Sequence, residues 1–163
     1  MNRTARLIAL PGILLSLSLA GCDSQSPSLP HEVSAVTATM HVSSMSAGWR
    51  PCNGAATKGG HAYVTIQDQS GLPVAGATVS GTWSGCTRGD DSAVTVNGGS
   101  YPNGTPLPDG TADITSSKCR SCPKQNCKFT FTVTDVTHPS YTYDPTQNVR
   151  TSSYSCCDPF KSC

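Results

Sequence analysis

Sulfur is the most obvious source of chemistry in this chain. Cys119-Arg120-Ser121-Cys122 has dithiol spacing, and Cys127 follows closely. Two thiols at that spacing exchange with a substrate disulfide when one is held as a low-pKa thiolate. That reaction needs a strand-to-helix setting, whereas this pair lies in a connection ahead of a strand-like stretch. Structural disulfides are therefore the expectation, with redox exchange as the rival. Cys119, Cys122 and Cys127 with His138 or a tail cysteine also have spacing that allows zinc. Cys156 and Cys157 are adjacent, and Cys163 closes the tail. Neighbouring cysteines rarely bridge each other, because a disulfide needs a defined Cα separation and dihedral. Each should reach a different loop.

The other candidates are weaker. His31-Glu32 opens like a zinc-protease motif, but Ala35 stands where the second histidine belongs. The four histidines, His31, His41, His61 and His138, fall on the N-terminal segment, strand polar faces and a turn, and read as solvated or turn residues. Asp90-Asp91, Asp109 and Asp113 read as loop carboxylates that cap turns. Gly81-Thr82-Trp83-Ser84-Gly85 has its serine one place late for a nucleophile elbow. Trp83 is expected in the core, and Trp49, beside Arg50-Pro51, is expected to be exposed. Asn103-Gly104-Thr105 matches a glycosylation sequon. No catalytic residue, metal or cofactor is assigned.

The start of the chain concerns address. Arg3 and Arg6 precede the apolar run Leu7 to Leu19, which is too short to cross a bilayer as a helix. Leu19-Ala20-Gly21-Cys22 ends it. This resembles the lipobox of bacterial lipoproteins, which implies a signal peptide over 1–21 and lipid on the Cys22 thiol. Several acyl chains would hold such a protein on a membrane. Asp23 resembles an enteric inner-membrane retention signal, so localisation is expected in a bacterial cell envelope. The lipid would face the chain toward the periplasm or the cell surface.

Composition restricts the rest. The whole chain carries a net charge of +1, and losing Arg3 and Arg6 would leave it slightly acidic. No basic patch is visible in sequence, so no nucleic-acid partner is expected. Charged residues are 13%, about half the usual ~25%, and Ser and Thr fill the polar positions. Glu32 is the only glutamate, and helix formers are scarce. Nine cysteines less Cys22 leave an even number for a disulfide framework in an oxidising compartment.

The elements that must position these residues are strands. Asp23 to Ala35 reads as a polar tether, so 22–35 is a flexible lipidated segment. Met40 and Val42 alternate with polar neighbours, as do Ala62, Val64 and Ile66. Ala77, Val79, Gly81 and Trp83 share one face, and Phe129, Phe131 and Val133 share another. Asp68-Gln69-Ser70-Gly71, Asn97-Gly98-Gly99, Asn103-Gly104 and Asp109-Gly110 mark turns. The pattern predicts an all-β sandwich of about seven strands. Residues 64–85 (V-T-I-Q-D-Q-S-G-L-P-V-A-G-A-T-V-S-G-T-W-S-G) and 129–145 (F-T-F-T-V-T-D-V-T-H-P-S-Y-T-Y-D-P) resemble a bacterial Ig-like module of the kind appended to secreted enzymes. That resemblance implies an Ig-like or fibronectin-like sandwich over 36–148 and no shared catalytic residue.

The chain departs from that pattern in a Cys52-bearing loop over 51–60, a long 86–108 segment, and a Cys-rich tail over 149–163. These three segments are the expected binding surface. Cys86 is expected to pair with the Cys119/Cys122/Cys127 group, and the tail to dock through Cys156, Cys157 or Cys163, one of them to Cys52. The functional expectation is a non-catalytic binding or structural accessory module, held at the membrane by Cys22, with a protein or glycan partner. The alternative is a small thiol-redox or metal-binding protein built on Cys119, Cys122 and Cys127.

Overall fold

The computed structural model describes residues 37–52, 54–121 and 128–156. The lipobox, the tether and Cys22, Cys122, Cys127, Cys157 and Cys163 lie outside the described residues. What is described is a β-sandwich. Its strands are β1 (Thr39–Cys52), β2 (Gly54–Asp68), β3 (Thr78–Gly85), β4 (Gly89–Val94), β5 (Thr111–Thr115), β6 (Arg120–Ser121), β7 (Lys128–Thr137), β8 (Thr142–Tyr143) and β9 (Ser152–Cys156). One sheet has the order β5-β2-β1-β8, with β6 also on β2; the other has the order β4-β3-β7-β9. Strands 1, 2 and 5 thus face strands 3, 4, 7 and 9, which is the Greek-key partition of immunoglobulin-like and fibronectin-like domains.

The core follows from period-2 patterning. Met40, Val42, Ala62, Val64, Ile66 and Ile114 point inward from the first sheet; Val79, Trp83, Phe129, Phe131 and Val136 point inward from the second. All are buried, and each large aliphatic or aromatic side chain withdrawn from water contributes about 1.5–3 kcal/mol. The β1 register shifts between Val42 and Ser44, after which Met45 is inward, and again between Pro51 and Cys52 at the hairpin end. Two glycines let the sheets close on the aromatics. A Cβ on Gly60 would lie 2.6 Å from the Trp83 ring, and one on Gly81 would lie 2.4 Å from Phe131 Cζ. Trp83 and Phe131 pack as a tilted pair, 4.7 Å between centroids and 50° between ring planes.

Turn chemistry closes one end. Asp68 Oδ1 accepts from the Ser70 and Leu72 amides at 2.8 and 3.0 Å. Gly71, Gly98, Gly104 and Gly110 all have positive φ, as their turn signals required. Asp109 caps Gly98 N at 2.9 Å. The outer edge of β1 is covered instead of left open. β8 pairs with its first residues, Asn148 Oδ1 accepts from Val42 N at 2.8 Å, and Ser153 Oγ accepts from Ala47 N at 3.1 Å.

Three expectations about architecture are corrected. The 51–60 segment is no loop: β1 and β2 continue as a hairpin beyond the core, with Pro51 opposite Lys58. The 86–108 segment contains β4, which adds an edge strand to β3. The tail does more than dock, because Ser152–Cys156 is a strand of the second sheet, hydrogen-bonded to β7 from Lys128 to Thr132. The sandwich therefore extends past residue 148. Its short, serine-rich sequence lacks an apolar alternation, and only the edge of β7 makes it a strand.

Candidate functional site

The outer face of the first sheet carries a polar constellation drawn from three strands. β2 alternates, so Ala62 and Val64 enter the core while His61 and Tyr63 face outward. Antiparallel pairing sets Tyr63 opposite Asp113 on β5, and His61 opposite Thr115. On the other side of β2, His61 lies opposite Gly48, which has no side chain to compete for the space. Arg50, one place beyond Trp49 on the outer side of β1, reaches across the sheet.

These side chains form one network. His61 Nε2 is hydrogen-bonded to Asp113 Oδ1. Arg50 Nη2 donates to Asp113 Oδ2 at 3.1 Å and to the Tyr63 hydroxyl at 2.8 Å. Tyr63 meets His61 edge-on at 4.4 Å and Tyr101 edge-on at 4.7 Å. Tyr101 arrives on the small 99–107 hairpin, closed by Tyr101 N to Thr105 O at 2.8 Å and Leu107 N to Gly99 O at 2.8 Å. The His61 side chain is 5% exposed, that of Asp113 38%. Burial alone would push the Asp113 carboxyl up. The His61 hydrogen bond and charge, together with the Arg50 guanidinium, outweigh it and hold the carboxyl below the ordinary carboxylate range. An ionised carboxylate only accepts, so the Nε2 proton of His61 is committed to it.

This corrects two expectations. His61 is buried and paired, not a solvated strand histidine, and Asp113 is a strand residue, not a loop cap. Parity of the β2 alternation places His61 outward beside Tyr63; what covers it further is Arg50 from β1 and Asp113 from β5, and the Asp113 contact spans 52 residues of sequence. The network is not a hydrolytic triad. No hydroxyl or thiol among the described residues is hydrogen-bonded to the imidazole. The network sets a carboxylate–guanidinium pair and two tyrosines side by side on the outer face of the sheet.

The cysteine-bearing end is the second candidate. Cys52 is bonded to Cys119, with a Cα separation of 5.9 Å. Cys52 was expected to bind a tail cysteine, and that is corrected: the β1–β2 hairpin carries Cys52 past the core to the β6 segment. Cys119 is therefore neither paired with Cys86 nor closed on Cys122. Cys86 and Cys156 are also disulfide-bonded. Whether Cys86 takes Cys122 or Cys127 lies outside the described residues. Trp49 is corrected as well. It packs against the core from the inner side of β1, its Nε1 donates to Cys156 O at 3.0 Å, and Lys58 Nζ sits 3.4 Å from its ring centroid.

Of the remaining expectations, His138 is a turn residue whose Nδ1 accepts from Ser140 N at 3.0 Å. Asp90 and Asp91 sit on β4, accepting from Thr82 Oγ1 at 2.7 Å and Ser117 N at 3.1 Å. Among the described residues no group of three or more His, Cys, Asp or Glu side chains is placed to hold a metal ion. No helix among them is long and apolar enough to cross a membrane. Comparison with protein-family models, with curated proteins and with solved structures finds no match to this chain.

Proposed function

We propose that this chain is a lipid-anchored protein of a bacterial cell envelope, whose sandwich is a non-catalytic binding module. The observation that carries this is Leu19-Ala20-Gly21-Cys22, at the end of an apolar run and followed by a polar tether. The sandwich supports the second half of the reading. Its one His–Asp–Arg constellation is closed on itself, its partners are held by strands, and its aromatic edge faces outward. Such a surface presents oriented donors and rings to a protein or a glycan, with little ordering cost on binding. The dithiol alternative is weakened because Cys119 is held by Cys52, 67 residues away.

Intact mass with non-reducing peptide mapping tests this, on full-length protein from its native membrane. Expected is a diacyl or triacyl adduct on Cys22, with the other cysteines paired. Cys22→Ala should move the protein out of the membrane fraction. An unmodified Cys22, or an N-terminus processed elsewhere, would overturn the anchor. Thiols at Cys119 and Cys122 that cycle under mild reductant would restore the redox alternative.

A further inference from the structure

Strand direction sorts charge along the sandwich. Lys58, Arg88, Lys118, Arg120 and Lys128 gather where β1 ends, at the disulfide pole. Asp68, Asp109, Asp135 and Asp144 gather where β1 begins. In sequence the two sets are interleaved.

Three of the cations have capacity to spare. Arg88, Lys118 and Arg120 are exposed, and none makes an ion pair with a described residue. Arg88 and Arg120 line one recess with Gly85 and Cys86. Lys118 Nζ reaches the same turn, 3.8 Å from where a Cβ on Gly89 would sit. The two backbones are locked together. Thr87 Oγ1 donates to Lys118 O at 2.9 Å, Cys119 is bonded to Cys52, and Cys86 is in a disulfide. Among the described residues, Asp90 and Asp91 on the adjoining β4 accept from Thr82 Oγ1 and from the Ser117 amide, and form no ion pair with these cations. Two guanidinium forks and one ammonium on a fixed backbone make the donor set for a tetrahedral oxyanion.

We propose that this pole binds the sulfate or phosphate ester groups of an anionic glycan. The exposed hydroxyls of Ser84 and Ser117 flank the cations and suit sugar hydroxyls. β1 runs from the entry of the described chain to this pole, roughly 45 Å at 3.3 Å per residue, so the pole lies at the far end of β1 from its first residue. Duplex nucleic acid is the poorer fit, because three cations on a turn form no stripe that follows a backbone. The assignment rests on the binding-module reading and gives it a ligand class.

The test uses the full-length chain in detergent and fluorescein-labelled heparin as the sulfated glycan, read by anisotropy. Uncharged dextran, phosphatidylglycerol vesicles and duplex DNA are run in parallel. Expected is heparin binding that weakens with salt, falls about tenfold or more in Arg88→Gln/Arg120→Gln, and is unchanged in Arg150→Gln. Heparin binding that survives the double variant would overturn the site but leave a binding module standing. Tighter binding to vesicles or DNA would overturn the ligand class, and no binding to any probe would overturn the proposal outright. None of these results alters the mass on Cys22, which tests the anchor separately. Should the double variant lose its β-sheet circular dichroism, phenylglyoxal labelling of the unaltered chain decides. Heparin must then protect Arg88 and Arg120 but not Arg150, and equal labelling of all three overturns the site.

Discussion

The two poles of the sandwich are closed by different physics. Where β1 begins, backbone turns do the work. Asp68 folds onto two amides, Gly71 and Gly110 take positive φ, and Asp144 caps the short 3-10 helix Pro145–Gln147 through Thr146 N. Where β1 ends, Gly85 and Gly89 also take positive φ, but Cys52–Cys119, with the bridges at Cys86 and Cys156, adds covalent closure that the other pole lacks among the described residues. Lys58 over Trp49 and Lys128 over Tyr154, 3.8 Å from that ring centroid, add to it. The hairpin outruns the apolar core here, so burial cannot hold it. A local turn chooses its conformation from a few residues. A cross-link instead restricts the unfolded chain, and its effect grows with the loop it closes.

The difference can be broken from the sulfur side first. Cys52→Ser/Cys119→Ser removes a link between residues 67 apart, and chain entropy puts the loss at about 4 kcal/mol. Denaturant unfolding should show it. Hydrogen exchange should place the earliest opening at the β1–β2 hairpin, while the Asp68 turn stays protected. A loss below about 1 kcal/mol would mean that packing alone closes this pole.

The turn side answers next. Gly110 has φ +73, and a Cβ there would lie 2.7 Å from Ile66 O and 2.9 Å from Val74 N. Both contacts are backbone and cannot rotate away. Gly110→Ala should cost about 2–3 kcal/mol, with exchange concentrated at the opposite pole from the disulfide variant. Matching exchange maps for the two variants would erase the distinction between the poles.

The smallest effect lies on the sheet between them. Asp113→Asn removes a carboxylate that is more than a third exposed, so solvent discounts its ion pairs to about 1 kcal/mol. Its folded pKa is depressed, so its contribution is present above the unfolded value near 4 and is lost as pH falls through the folded one. The unaltered chain should therefore lose stability more steeply than the variant below about pH 4 in acid titrations followed by circular dichroism. Parallel curves would show that Asp113 contributes nothing through charge.

Much of the scaffold was legible beforehand because its signals are local. Alternation named the inward residues of β2, β3 and β7, and Asp, Asn and Gly named the turns, since both depend on neighbours in sequence. The candidate site was not. His61 and Asp113 read separately as solvated and loop residues, and only the β2–β5 register brings them into contact. β9 was missed because a polar edge strand takes its structure from its partner.

The residue order by itself determined the strand class, the turn positions, the burial of Trp83 and the presence of a disulfide framework. Periodicity and turn chemistry are properties of short segments. Tertiary structure alone decided that Cys52 meets Cys119, that Arg50 on β1 reaches Asp113 on β5 across β2, and that Lys58, Arg88, Lys118, Arg120 and Lys128 gather at one pole. Each depends on which strands are neighbours and how their register is set, and pairing between segments far apart in sequence, as β2 with β5, leaves no local mark in the sequence.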